Sequence, residues 1–165
     1  MKKIPIVNYI KVFILSVVTI FLVLVLANFY NNKRQYERAN DDVMGILSNI
    51  KFEELNEYLT ENSDGFIYIS SSIDTSLDSF ESKFKEYIVN EELDKYFVYI
   101  DSSVFSATTY SELKSLYFAS NVKDVSLGRA NLLSVHNGKI TSILLVDVNN
   151  FEEVNTFIRM HEVTE

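Results

Sequence analysis

The 165-residue chain has no cysteine and no tryptophan, one proline, four glycines and two histidines. Without a thiol there is no disulfide, no thiolate nucleophile and no cysteine-ligated metal, whatever the fold. Glycine is too scarce for a loop that cradles phosphate, and no Gly-x-Ser-x-Gly surrounds the serine run Ser70-Ser71-Ser72. The histidines, His136 and His161, do not form a metal pair, and the carboxylates lack the spacing of a calcium loop. No cofactor and no metal are therefore expected.

Charge is missing from one stretch, Val12 to Asn32, which is almost wholly aliphatic or aromatic as far as Ala27. As a helix it would be about 31 Å long, close to the thickness of a bilayer's hydrocarbon core. Tyr9 at one edge and Phe29 and Tyr30 at the other suit an interfacial aromatic belt. The pattern predicts a basic cytoplasmic tail over 1–11, a transmembrane helix over 12–32 in contact with the lipid bilayer, and a polar stalk over 33–45. Lys2, Lys3 and Lys11 are balanced by Lys33, Arg34 and Arg38, but a basic tail ahead of a first apolar segment reads as a signal-anchor. The remainder would then be extracellular. The competing reading is cleavage after Val25-Leu26-Ala27, which would release a secreted protein.

The residues beyond Asn32 hold twelve Lys or Arg and twenty-three Asp or Glu, a net charge of −11. Such a domain is repelled by nucleic acid, so no nucleic-acid partner is expected. Its apolar residues fall into alternating helix and strand patterns. Phe52, Leu55, Tyr58 and Leu59 mark a helix ending at the turn cluster Asn62–Gly65, with Gly65 as a candidate cap. Phe66 to Ile69 form a strand, and Leu77, Phe80, Phe84, Tyr87 and Ile88 lie on one helical face. Tyr96 to Ile100 make a second strand. Tyr110, Leu113, Leu116 and Tyr117 make a further helix, with Thr109 and Glu112 at the spacing of a capping box.

Leu132–Val135 and Ile140–Val146 flank Asn137-Gly138, a strong hairpin signal because a type I′ turn needs positive φ at both positions. Phe151, Val154, Phe157 and Ile158 close the chain as a helix, with Asn150 as N-cap and Glu153 as its box partner. Ile46 to Ile50 fit either a short strand or a helix end. The order predicts an α/β domain with a mixed sheet over 46–165: parallel pairs joined by helices, then an antiparallel edge.

Two segments carry a resemblance. The strand–turn–helix Phe66–Phe80 resembles the first such junction of the thioredoxin superfamily, most closely that of the bacteriocin transport accessory proteins of Gram-positive bacteria. Leu132 to Ile140 is similar to that superfamily's strand, Asn-Gly-Lys turn and strand. The resemblance covers about residues 46–163 and implies a thioredoxin-like mixed sheet flanked by helices. With the aromatic helix position set on Phe80, Asp74-Thr75-Ser76-Leu77 stands where Cys-x-x-Cys would be. Ala130 stands where a cis-proline would be, and its peptide bond is expected to be trans.

The resemblance thus implies a fold without its usual chemistry. It implies a membrane-anchored, non-catalytic domain that binds another exported or membrane protein in an accessory or scaffolding role. The candidate contact residues are Ser71, Ser72, Asp74, Thr75, Ser76, Arg129, Ala130 and Asn131, brought together as loops at the carboxyl end of the sheet. N-capping of the following helix also accounts for Asp74 and Thr75, and is the reading the sequence favours for them. The alternative is an enzyme using Asp74 or Asp78 as acid or base.

Overall fold

The computed structural model describes residues 13–27, 45–120, 122 and 129–161. The chain divides into two compact units, Met1–Glu37 and Arg38–Glu165. In the first, residues 13–27 form helix α1, and its large apolar side chains from Phe13 to Leu26 are all exposed. Thr19 donates its hydroxyl to the Leu15 carbonyl at 2.8 Å, so this polar group is satisfied within its own helix. Among the described residues no helix is long and apolar enough to cross a membrane. The expected span, 12–32, runs past α1 at both ends into positions outside the described residues, as do the expected tail and all of the stalk except Gly45.

The second unit is built on a five-stranded sheet of β1 (Ser48–Asn49), β2 (Gly65–Ser70), β3 (Phe97–Asp101), β4 (Ala130–His136) and β5 (Lys139–Leu145), in the order β1-β3-β2-β4-β5. The β1–β3 and β3–β2 pairs are parallel, while β2–β4 and β4–β5 are antiparallel. The helices are α2 (Leu55–Glu61), α3 (Asp78–Asn90), α4 (Ala107–Tyr117) and α5 (Phe151–Met160). This is the mixed sheet flanked by helices that the alternating pattern implied.

Alternation along the strands divides the core by side-chain type. Phe66 and Tyr68 of β2 and Phe97 and Tyr99 of β3 face α3 and α5, where they meet Phe80, Phe84, Val154 and Phe157. Phe66 stacks on Phe97 at 4.8 Å, and Tyr68 meets Phe84 edge-on at 5.1 Å. On the other face Ile67, Ile69, Val98 and Ile100 pack with Leu55 and Leu59 of α2 and Leu113 of α4. The register sets like against like, Phe66 beside Phe97 and Ile67 beside Val98, so one layer is mainly aromatic and the other mainly aliphatic.

Several local expectations hold and several shift. Asn137 and Gly138 have φ of 52° and 68°, as the hairpin requires. The ambiguous stretch 46–50 supplies the short strand β1. The box that caps α4 is formed by Ser106 and Thr109, not by Thr109 and Glu112, because the helix begins at Ala107. Asn150 is the N-cap of α5 by position, but its side chain makes no capping bond. Asn62, not Gly65, closes α2.

Gly65 instead opens β2 with φ of +156°, and a Cβ there would lie 2.7 Å from the Tyr96 carbonyl oxygen. That contact is with backbone and cannot swing aside. Gly65→Ala should therefore destabilise the domain by about 1–3 kcal/mol, read as a lower midpoint in chemical unfolding with an unchanged slope. An unchanged midpoint would mean that β2 and β3 can slide apart at no cost.

Candidate functional site

The parallel strands β1, β3 and β2 deliver their carboxyl ends to one edge of the sheet. The antiparallel pairing of Ser70 with Ala130 and of Asn131 with Leu145 brings the start of β4 and the end of β5 to the same edge. The turn between β2 and α3 and the Arg129 segment, 53 residues apart in sequence, meet there. Arg129 Nη1 donates to Ser76 Oγ at 3.4 Å, and its Nε lies 3.9 Å from Asp74 Oδ2.

Ser71, Ser72 and Asp74 are half-buried in the turn, Thr75 and Ser76 are exposed, and Arg129 is largely exposed. Asp74 caps the turn that leads into α3: its Oδ1 accepts from the Ser76 N–H at 3.0 Å and from the Ser76 hydroxyl at 2.6 Å. Ala130 and Asn131 are placed differently from expectation. They are the first two residues of β4 and are each 1% exposed, so their side chains belong to the sheet interior and not to an exposed loop. The sequence pattern had begun the strand at Leu132, whereas pairing with Ser70 and Ile69 extends it back over both. The described peptide bonds, that of Ala130 included, contain no cis bond.

A second loop, between β3 and α4, is tied to the turn. Asp101 Oδ1 accepts from the backbone N–H of Ser72 at 3.0 Å and of Ser103 at 2.8 Å, and the Ser72 hydroxyl donates to Ser103 Oγ at 3.4 Å. Partial burial pushes the Asp101 carboxyl up, but the Ser72 and Ser103 bonds outweigh it and hold the group below the ordinary aspartate range. One carboxylate thus fixes the spacing of two loops.

Beneath the turn, Glu81 of α3 is fully buried. Its Oε1 accepts from the Tyr68 hydroxyl at 2.9 Å and the Ser70 hydroxyl at 2.8 Å, while the Tyr99 hydroxyl donates to the Ser70 carbonyl at 3.1 Å. Burial, and then the Glu81 carboxylate, push the Tyr68 hydroxyl well above its usual range, so it remains a donor at neutral pH. Glu81 lies four residues after Leu77 and three before Phe84, on the apolar stripe of α3. That periodicity marks it as an inward-facing carboxylate, a signal that a search for apolar positions passes over.

The edge also has an apolar part, which none of the polar candidate residues signals. Among the described residues the second unit exposes seven large apolar side chains: Ile73, Val89, Val104, Leu116, Leu145, Val148 and Met160. Ile73, at 64% exposure, and Val104, at 84%, stand on the two tied loops, Leu145 ends β5, and Val148 lies in the connection from β5 to α5. Ile73, Val104 and Leu145 thus stand on segments that end at the carboxyl edge, the edge that also carries the candidate polar groups. Among the described residues no group of three or more His, Asp or Glu could hold a metal ion.

The folded-state value of Asp101 lies below its unfolded value, so its contribution to stability is present above about pH 4 and fades as pH falls through the folded value. Asp101→Asn should lower the melting temperature at pH 7, and the gap from the parent should close as pH falls below about 4 and through the folded value. Asp64, also held low, titrates alike in both proteins and cancels in the comparison. A gap that persists through that fall would assign the loss to shape instead of charge. No protein-family model matches the chain, and no curated protein matches it in sequence. Among solved structures, thioredoxin f2 of Chlamydomonas reinhardtii is similar, with a TM-score of 0.51 and 9% identity over 72% of this chain and 99% of that one. At that identity the likeness speaks of the fold alone: the domain has a thioredoxin-like fold.

Proposed function

We propose that this protein is a membrane-anchored, non-catalytic thioredoxin-like domain that binds another exported or membrane protein through the carboxyl edge of its sheet. The observation that carries the reading is that Ile73, Val104 and Leu145 are exposed on segments ending at that edge, which also carries Arg129 and the Asp74 turn. Exposed apolar groups rimmed by polar ones mark protein contact sites. Disulfide exchange is excluded by the sequence. Leu77, at the position of the second cysteine in the superfamily, is 1% exposed and packs in the aromatic layer, so the turn is used for packing. The acid–base alternative is disfavoured because the Asp74 carboxylate is already engaged by Ser76 and lies near Arg129.

Anchoring rests on the uncharged stretch Val12–Asn32 and on the all-round apolar surface of α1, which water would not tolerate. A basic tail ahead of the first apolar segment supports a domain outside the cell membrane, and the resemblance to bacteriocin transport accessory proteins supports an accessory role in export or envelope assembly. A cysteine introduced as Asn137→Cys, in the exposed hairpin turn, should react with a membrane-impermeant maleimide in intact cells. Labelling only after lysis would reverse the topology, and recovery of the protein in the medium, beginning near Asn28, would make the segment a cleaved signal.

Ile73→Arg combined with Val104→Arg should leave the unfolding midpoint within about 0.5 kcal/mol of the parent, because both side chains are exposed. The pair should abolish partner cross-linking in native membranes, whereas Leu116→Arg, away from that edge, should leave it intact. Normal cross-linking by the double variant would move the contact surface elsewhere.

A further inference from the structure

Beside the turn, at the carboxyl ends of β1 and β3, lies a hollow of about 300 Å³. Ile50, Phe52 and Phe105 give it apolar walls, and Val104 stands at its side. Phe52 and Phe105 meet edge to face at 5.7 Å, and Phe52 also meets Tyr117 at 6.1 Å, so the walls are braced from the side of α4. This volume is at the lower end for a small-molecule pocket, and suits one bulky side chain better than a cofactor.

The hollow adjoins the end of the sheet. β1 is the outermost strand, and Ile50 donates its N–H to the Tyr99 carbonyl at 3.0 Å. Alternation along a strand therefore turns the Asn49 N–H and C=O away from β3, and among the described residues no strand pairs with that side. The outward N–H and C=O of the next alternate residue, Lys51, are taken by Glu54, so Asn49 alone offers an outward pair, enough to hold one residue of an extended chain while the hollow beside it takes a side chain.

The charges narrow the occupant. Glu53 and Asp101 line the hollow against the single cation Lys51, within a region that carries −11 beyond Asn32. An acidic segment would be repelled and a basic one drawn in.

We propose that the outer edge of β1 and this hollow take an extended segment of the partner protein, which carries one bulky apolar residue next to a Lys or Arg. The inference rests on the binding reading above and names the chemistry of the partner. It adds a strand contact at the end of the sheet to the loop contact around Ile73.

The test uses the full-length protein in native membranes, with p-benzoylphenylalanine in place of Asn49 or, separately, of Ile73. Both positions should cross-link to the same protein, and mass spectrometry should place the Asn49 adduct in a segment that pairs a bulky apolar residue with Lys or Arg. That segment, made as a synthetic peptide, should bind the detergent-solubilised full-length protein, and Glu53→Lys should weaken it about fivefold in low salt. Glu53→Gln, which removes the charge with little change of shape, should weaken it less. An adduct from Ile73 with none from Asn49, an Asn49 adduct in an acidic segment, or indifference to Glu53→Lys would each overturn the inference and leave the binding reading standing. Absence of adducts at both positions would overturn both.

Discussion

The central constraint is the enclosure of β2. All six of its residues are buried, its two edges are taken by β3 and β4, and its two faces are covered by different helical layers. A strand in that position has no freedom of register, because a slip of one residue would send Phe66 and Tyr68 into the aliphatic layer and Ile67 and Ile69 into the aromatic one. Rings forced into the aliphatic layer would overpack it, and aliphatic side chains in the aromatic layer would leave cavities, each misfit costing about 1–3 kcal/mol or more, so the exchange would be prohibitive. With β2 fixed, the position of the turn that follows it is fixed too.

Polar groups then hold the end of that strand to the helix beyond it. Glu81 gathers the hydroxyls of Tyr68 and Ser70, and Asp101 gathers the N–H groups of Ser72 and Ser103. A buried carboxylate is costly to desolvate, and hydroxyl or amide donors at close range are what make it tolerable. Both acids serve to define the loops: Glu81 is fully buried, and the half-buried Asp101 is engaged by the two N–H groups it accepts from. The Ile73 and Val104 side chains consequently stand out from a rigid base. A preorganised surface of this kind loses little conformational entropy on binding.

Much of the fold is legible in the residues themselves. The order of helices and strands follows from apolar periodicity, and the Asn137-Gly138 turn announces its hairpin. The meeting of the Asp74 turn with Arg129 follows once that order is placed in a mixed sheet. What escapes is set by contacts between distant segments. Nothing near Gly65 reveals that the Tyr96 carbonyl crowds it, and nothing near Ala130 and Asn131 reveals that β2 draws them into the sheet. The cap of α4 was misplaced because Ser106-Thr109 and Thr109-Glu112 share one spacing, and only the true helix start chooses between them. The apolar half of the site was missed because an isolated Ile73 or Val104 carries no local sign of exposure.

On the proposed function, the carboxyl edge of the sheet is a protein contact surface and not a reactive centre. Hydrogen exchange of the full-length protein in native membranes, compared with the same protein purified in detergent, tests it most directly. Added protection is expected over residues 71–76 and 102–105 in the native membrane, with α2 and the exposed side of α3 unchanged. Equal exchange at that edge in both samples, with protection appearing on the outer helices instead, would contradict it.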